Sequence, residues 1–230
     1  MPILLSTSKS FVYFHIPKTG GSQVTWSFRD LIDFPDRQTA INLDINQSDW
    51  QNICHYDKNQ HSRYIDCEHL LRGREDYFKF AFVRNPWDLA FSWYCSAFKI
   101  RTGKLFNSEN YNPNKFYRFL VKYLPFSPLK NIRSKFSKYG YFYILMPRQQ
   151  LDYVTDSQGD LKVDFLGRFE SYQEDISFLS KKFCVDLPVD TRINSSKSKR
   201  FNYKDFYDQS SYELVLNCYR RDIEFLKYSF

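Results

Sequence analysis

Phe11-Val-Tyr-Phe-His-Ile-Pro-Lys-Thr-Gly-Gly-Ser22 is the stretch on which the fold turns. Residues 11–16 are β-branched and aromatic and stop at Pro17, the pattern of a short buried strand. Lys18 to Ser22 reads as a turn. Val24, Trp26, Phe28, Leu31 and Ile32 then recur at roughly helical spacing, with Ser22 the expected N-cap. A strand feeding a glycine turn and a helix start makes an anion site, because backbone N–H groups and the helix dipole both favour negative charge there. Lys18 adds a mobile cation, and Thr19 and Ser22 add hydroxyls. The stretch is not a Walker A loop: GxxxxGK[ST] is absent and the lysine precedes the glycines. Taken alone, it fits an ordinary strand-to-helix turn as well as a phosphate loop.

The arrangement occurs twice. Tyr77 to Val83 is a second hydrophobic strand, followed by Arg84-Asn85-Pro86-Trp87-Asp88 and an aromatic helix, Leu89 to Phe98. Pro86 suits a first helical turn. Two strand–loop–helix units predict an α/β fold, a parallel sheet flanked by crossover helices. Arg84 falls at the carboxyl end of a strand, where open α/β sheets bind ligands. Its guanidinium can hold a phosphate bidentately, with the Ser92 hydroxyl further along the next helix. Pairing of Arg84 with Asp88 or Glu75 is the structural alternative.

The remainder reads as a polar stretch over 36–76 with a short helix at Ile65–Arg72, and a helix at Asn114–Tyr123. A strand at Phe142–Leu145 and a hairpin running from Tyr153 through Asp156–Asp160 to Phe169 follow. Helices are expected over 172–183 and Tyr203–Leu226. No repeat or linker divides the chain, so residues 1–230 are expected to form a single domain.

Composition narrows the function classes. The 230 residues are 43% hydrophobic and 26% charged, which excludes wholesale disorder. Aromatics reach 20%, so many rings must be buried or displayed for stacking. No apolar run approaches the roughly 18–20 residues of a membrane span, and the start lacks the basic region of a signal peptide. Five scattered cysteines without a CxxC argue against a zinc ribbon or disulfide framework; a reducing, cytoplasmic location is expected. The net charge of +7 calls for an anionic partner. It is concentrated: Lys99 to Arg148 holds eleven basic residues and one acid, Glu109, so this segment carries +10 and the rest sums to −3.

Taken together, the two strand–loop–helix motifs make the chain resemble the PAPS-dependent sulfotransferases. The likeness is to the family-2 branch of bacterial enzymes and uronosyl 2-O-sulfotransferases. His15-Ile-Pro-Lys-Thr-Gly-Gly-Ser22 is similar to that family's 5′-phosphosulfate loop, and Phe80 to Asp88 with Ser92 to its 3′-phosphate element. Val163 to Glu170, Leu187-Pro188 with Asn194 and Ser196, and Asp222-Ile-Glu-Phe-Leu are similar to later blocks. The resemblance implies a P-loop-like α/β fold and 3′-phosphoadenosine 5′-phosphosulfate (PAPS) as donor, with PAP as product and no catalytic metal. It implies donor contacts from Pro17, Lys18, Thr19, Gly20, Gly21, Ser22, Gln23, Arg84, Ser92, Arg168, Asn194 and Ser196. Two positions depart from the family pattern: Leu89 stands where a basic residue is frequent, and Gln23 where threonine is common. The Gln23 backbone N–H is expected to serve in place of the lost hydroxyl.

Sulfuryl transfer is an in-line displacement, so catalysis is positioning plus stabilisation of spreading negative charge. Lys18 is the expected partner of that charge. A general base must take the acceptor proton. Of the four histidines, His15 and His69 fall in apolar sequence and read as packed, while His55 and His61 lie in polar sequence. His61 precedes Arg84 by 23 residues, a separation similar to that of the family's base, and a histidine pKa near neutrality suits the role. His55, Glu68 and Glu75 are the alternatives. Arg168 fits either the donor site or a structural ion pair. The loop Arg192–Arg200 fits either a cover over the nucleotide or a solvated basic loop.

The acceptor is read from the charge map. Arg133, Lys135 and Lys138, with Arg118, Lys122 and Lys130, are expected to meet acidic groups of a glycan hydroxyl acceptor, while Tyr111, Phe116, Tyr117, Tyr139 and Tyr141 stack on sugar rings. A solvated basic face is the competing reading. Two other classes stay in view. A nucleotide kinase or NTPase lacks its Walker A motif here. A nucleic-acid binder has the charge and aromatics but none of the RNP, zinc-finger or helix-turn-helix patterns.

Overall fold

The computed structural model describes residues 3–32, 63–124, 149–188 and 201–230. In chain order its elements are β1 (Leu4–Ser6), β2 (Phe11–Phe14), α1 (Gly21–Phe28), α2 (Tyr64–Cys67), β3 (Phe78–Val83), α3 (Pro86–Thr102) and α4 (Pro113–Tyr123). β4 (Phe165–Arg168), α5 (Tyr172–Phe183), α6 (Gln209–Cys218) and α7 (Arg220–Leu226) follow. The chain groups into two compact units, Met1–Val83 with Gln150–Asn194, and Arg84–Gln149 with Ser195–Phe230.

The first unit holds a four-stranded sheet in the order β1-β2-β3-β4. β2, β3 and β4 run parallel, pairing Phe14 with Ala81 and Phe82 with Gly167. The expected α/β class, a mainly parallel sheet flanked by helices, is therefore what the chain forms. β1 is an antiparallel edge strand that the sequence reading missed. All four residues of β2 are buried. Phe11, Tyr13, Phe80 and Phe82 pack with Val24 and Phe28 of α1 and with Ile176, Leu179 and Phe183 of α5. Much of the aromatic excess goes here, in edge-to-face and tilted ring pairs such as Phe11–Phe28 at 5.2 Å. The expected hairpin reduces to a single bridge, Thr155 to Leu161. Asp156 caps its turn by accepting from the N–H groups of Gln158 and Asp160. Phe165–Arg168 pairs instead with β3, in parallel.

The second unit is helical. Pro86 opens α3, and Asn85 caps it by accepting from the Trp87 N–H. Trp87, Phe91 and Tyr94 of α3 form its core with Phe116 and Leu120 of α4 and with Phe206, Val215 and Tyr219. Trp87 stacks on Tyr212 at 5.3 Å, and its indole N–H donates to the Tyr212 carbonyl. The single helix expected over Tyr203–Leu226 is broken. Asp208 is extended and caps α6 through Ser211, and the chain breaks again at Tyr219 before α7. Among the described residues no helix is long and apolar enough to cross a membrane.

Candidate active site

In the first unit, β2 ends at Phe14 and the chain turns through His15–Gly20 into α1. The expected N-cap, Ser22, lies inside the helix. Gly20 is the capping residue, with φ of 90°, and no side chain caps the helix. The reason is steric: the turn needs a left-handed residue that glycine alone adopts without penalty. A Cβ on Gly20 would also stand 3.0 Å from the Phe169 ring. Gly21 is needed for a different reason. A Cβ there would lie 1.8 Å from Nε2 of buried His15, so the imidazole occupies the space of a side chain.

Lys18 is half-buried and also left-handed, with φ of 68°. A non-glycine residue there costs about 1–2 kcal/mol and persists only where its surroundings over-determine it. Buried Thr19 supplies part of that constraint by donating its hydroxyl to the Ile16 carbonyl at 2.8 Å. The hydroxyl hydrogen expected for a ligand is thus already engaged. The same holds for the Gln23 N–H, which donates to the Gly20 carbonyl at 2.9 Å. The N–H groups of Gly21 and Ser22 open the helix, one turn ahead of any intrahelical acceptor. This loop therefore presents two helix-opening N–H groups, with the Ser22 hydroxyl and the Lys18 side chain carried beside them.

Arg168 closes β4 in the same unit. Its backbone N–H donates to Asp175 Oδ2 at 2.6 Å, and Ser171 donates to the same oxygen. Asp175 thereby sets the turn that carries Phe169 against Gly20.

In the second unit, Arg84 precedes α3. Its Nε donates to Asp88 Oδ2 at 2.8 Å, and both side chains are only 14% exposed. The pairing alternative to phosphate binding is thus realised, through Nε of the guanidinium. Ser92 is half-buried one turn beyond Asp88, on the same helix face. Asn85 donates through Nδ2 to the Ser229 carbonyl, and Tyr207 donates to the Trp87 carbonyl, so the turn after Arg84 is held from both sides.

The base candidates His55 and His61 lie outside the described residues, as do Arg133, Lys135, Lys138, Asn194 and Ser196. Glu75 is a poor base: its carboxylate accepts from the Gly73 N–H, which holds its pKa below the usual range. Glu68 is exposed. Lys115, Arg118 and Lys122 form an exposed basic stripe on α4 at i, i+3 and i+7. The aromatic part of the acceptor reading needs correction. Phe116 is wholly buried because α4 turns its ring into the core, and Tyr111, ahead of α4, packs partly buried against that core with its hydroxyl donating to the Phe206 carbonyl. Tyr117 is exposed. Among the described residues no cluster of His, Cys, Asp and Glu has the make-up of a metal site.

A family model described as the sulfotransferase family matches residues 1–229, across both units. No curated protein matches the chain. A sulfotransferase of solved structure from Alicyclobacillus acidocaldarius is similar at 15% identity, over 95% of this chain and 87% of that one, with a TM-score of 0.39. That likeness is too loose to carry any residue's role.

Proposed function

The chain belongs to the sulfotransferase family, and from that premise we propose that it transfers the sulfuryl group of PAPS to a hydroxyl of an anionic glycan. The observation that carries the donor reading is the loop after β2. There a strained lysine precedes two glycines, one at the cap and one opening α1. This is an arrangement for an anion that must be met at close range by backbone N–H groups.

Each element then has a role. The N–H groups of Gly21 and Ser22, the Ser22 hydroxyl and Lys18 take the 5′-phosphosulfate end, with Pro17, Thr19, Gly20 and Gln23 shaping the loop. Arg84 and Ser92 take the 3′-phosphate that distinguishes this donor from ADP or ATP. Arg168, Asn194 and Ser196 complete the donor contacts. His61 removes the acceptor proton as the acceptor oxygen attacks sulfur. The bond from sulfur to the bridging oxygen breaks, and the electron pair leaves with PAP. Lys18 stabilises that departing charge. Arg133, Lys135 and Lys138, joined by the α4 stripe, meet the acidic groups of the glycan. We place the protein in a reducing, cytoplasmic compartment, as suits five scattered cysteines without a CxxC.

The test is thermal unfolding with PAP and with ADP, since a ligand that binds only the folded state raises its stability. PAP is expected to raise Tm well beyond ADP at equal concentration. Equal shifts would point to an NTPase, and a shift with neither would remove the donor site. Mass spectrometry of a glycan incubated with PAPS and the protein should then show the gain of one sulfuryl group.

A further inference from the structure

The loop after β2 rests on a column of rings. Phe80 of β3 packs on Tyr13 of β2 at 5.1 Å between centroids, and Tyr13 stacks on His15 at 6.0 Å and 23°. Phe80 and Tyr13 are wholly buried and His15 nearly so. The imidazole ends the column against Gly21, the first residue of α1, with Nε2 and Cδ2 at 1.8 and 1.9 Å from where a Cβ would be. A ring so enclosed cannot retreat, because close-packed interiors transmit displacement instead of absorbing it. The height of the α1 start above the sheet is therefore set by the thickness of that ring. The left-handed Lys18 and the left-handed Gly20 lie between these two fixed points, His15 and Gly21. Neither the Thr19–Ile16 hydrogen bond nor the Phe169 contact fixes Gly21 itself.

The geometry points to His15 as a positioning residue for sulfuryl transfer, acting through Gly21: its ring holds the opening N–H groups of α1 and the Lys18 backbone in the orientation that meets the transferred group. The inference rests on reading this loop as the 5′-phosphosulfate site. His15 itself touches neither donor nor acceptor. An ordinary core residue would affect stability alone; a residue that sets the loop affects turnover in a way that depends on the size of residue 21.

A double-mutant cycle tests this. Gly21→Ala alone should lower kcat by about 10²-fold or more, because the methyl must displace the ring or the helix. In a His15→Ala background the methyl has room, so adding Gly21→Ala should cost less than about threefold further. His15→Ala alone should lower kcat at least tenfold while the PAP Kd, anchored at the 3′-phosphate, changes less than threefold. His15→Phe, which keeps a flat ring over Gly21, should restore most of the kcat. Independent, multiplicative effects of the two alanine changes would overturn the inference, as would full kcat in His15→Ala or no rescue by phenylalanine. The amide ¹⁵N resonances of Gly20, Gly21 and Ser22 give a readout needing no donor: they should shift non-additively in the same cycle, and additive shifts refute the positioning role. If the wild-type chain bound no PAP, the donor reading would fall while the amide cycle still decided whether His15 sets the loop.

Discussion

Arg84 donates through Nε to Asp88 at 2.8 Å, four residues on and within the first turn of α3. The contact runs through Nε and orients the guanidinium plane, as a carboxylate partner does for a planar fork. Arg84→Ala should weaken PAP binding by about 2–4 kcal/mol, or roughly 30- to 1000-fold in Kd. Asp88→Asn keeps an acceptor but loses the charge, and should cost less, about three- to tenfold. Calorimetric titration with PAP checks both, and unchanged affinity in the Arg84 variant would remove it from the site.

Lys18 combines charge with a strained backbone, and two substitutions separate these. Lys18→Ala and Lys18→Gly should each lower kcat by about 10²-fold or more, and PAP affinity by much less, because the ammonium acts on charge that develops in the transition state. Glycine relieves the left-handed strain, so Lys18→Gly should be more stable than Lys18→Ala by about 0.5–1 kcal/mol. Steady-state kinetics and urea unfolding of the pair decide it; an alanine variant as stable as the glycine one would mean the strain is not there.

His61→Ala should lower turnover by about 10²-fold or more and spare PAP binding, as loss of a general base does. Should activity survive there and fall in His55→Ala, the base is His55. Survival in both would direct attention to Glu68, since the Gly73 N–H lowers the pKa of Glu75 and with it its basicity.

An acceptor met by cations should show a Michaelis constant that rises steeply with salt, while that of PAPS rises less. Replacing Arg133, Lys135 and Lys138 together by Ala should raise the acceptor constant and leave PAP binding unchanged. Kinetics indifferent to salt and to the triple change would mean the acceptor is not held by this segment.

Two tyrosines mark the alkaline limit of each unit's packing. Burial pushes the Tyr172 hydroxyl up to about 12, against the pull of its hydrogen bond with Ser27. Burial, with the Asp208 carboxylate adding to it, does the same to Tyr111. Both folded values lie above the unfolded value of 10.0, so the stability they contribute is complete below pH 10 and is lost as pH rises from 10 to 12. Tyrosinate absorbance against pH should show a late class of residues that titrates together with loss of secondary structure; full titration by pH 10.5 would contradict their burial.

The local elements were largely legible in the chain. β2, β3, α3, α4 and α5 lie within a few residues of where periodicity and Pro86 or Pro113 place them, since strand alternation and helical spacing are written within four residues. The turn into α1 was legible for the same reason, in a lysine and two adjacent glycines after an apolar run. What was misread needed partners distant in sequence. β1 is three residues long, too short to show a period, and exists because β2 offers it an edge. Phe165–Arg168 has the composition of either a hairpin arm or a parallel strand, and its register with β3 decided for the latter. Asp208 could have continued a helix, but as a cap it ends one, and only its bond to Ser211 shows which.

At the site, residue types were set by the sequence and their availability by the tertiary structure. The Thr19 hydroxyl and the Gln23 N–H looked like donors to a ligand until the turn brought Ile16 and Gly20 carbonyls within reach. Phe116 and Tyr111 looked like a stacking platform until α4 buried the first and the Phe206 carbonyl engaged the hydroxyl of the second. The Gly-Gly pair announced a demand for space but not its cause. That cause, the Phe169 ring over one glycine and the His15 ring over the other, is a matter of packing: a hydrogen bond or a methyl-sized gap depends on where the whole chain places an atom, and no local pattern of residues encodes that position.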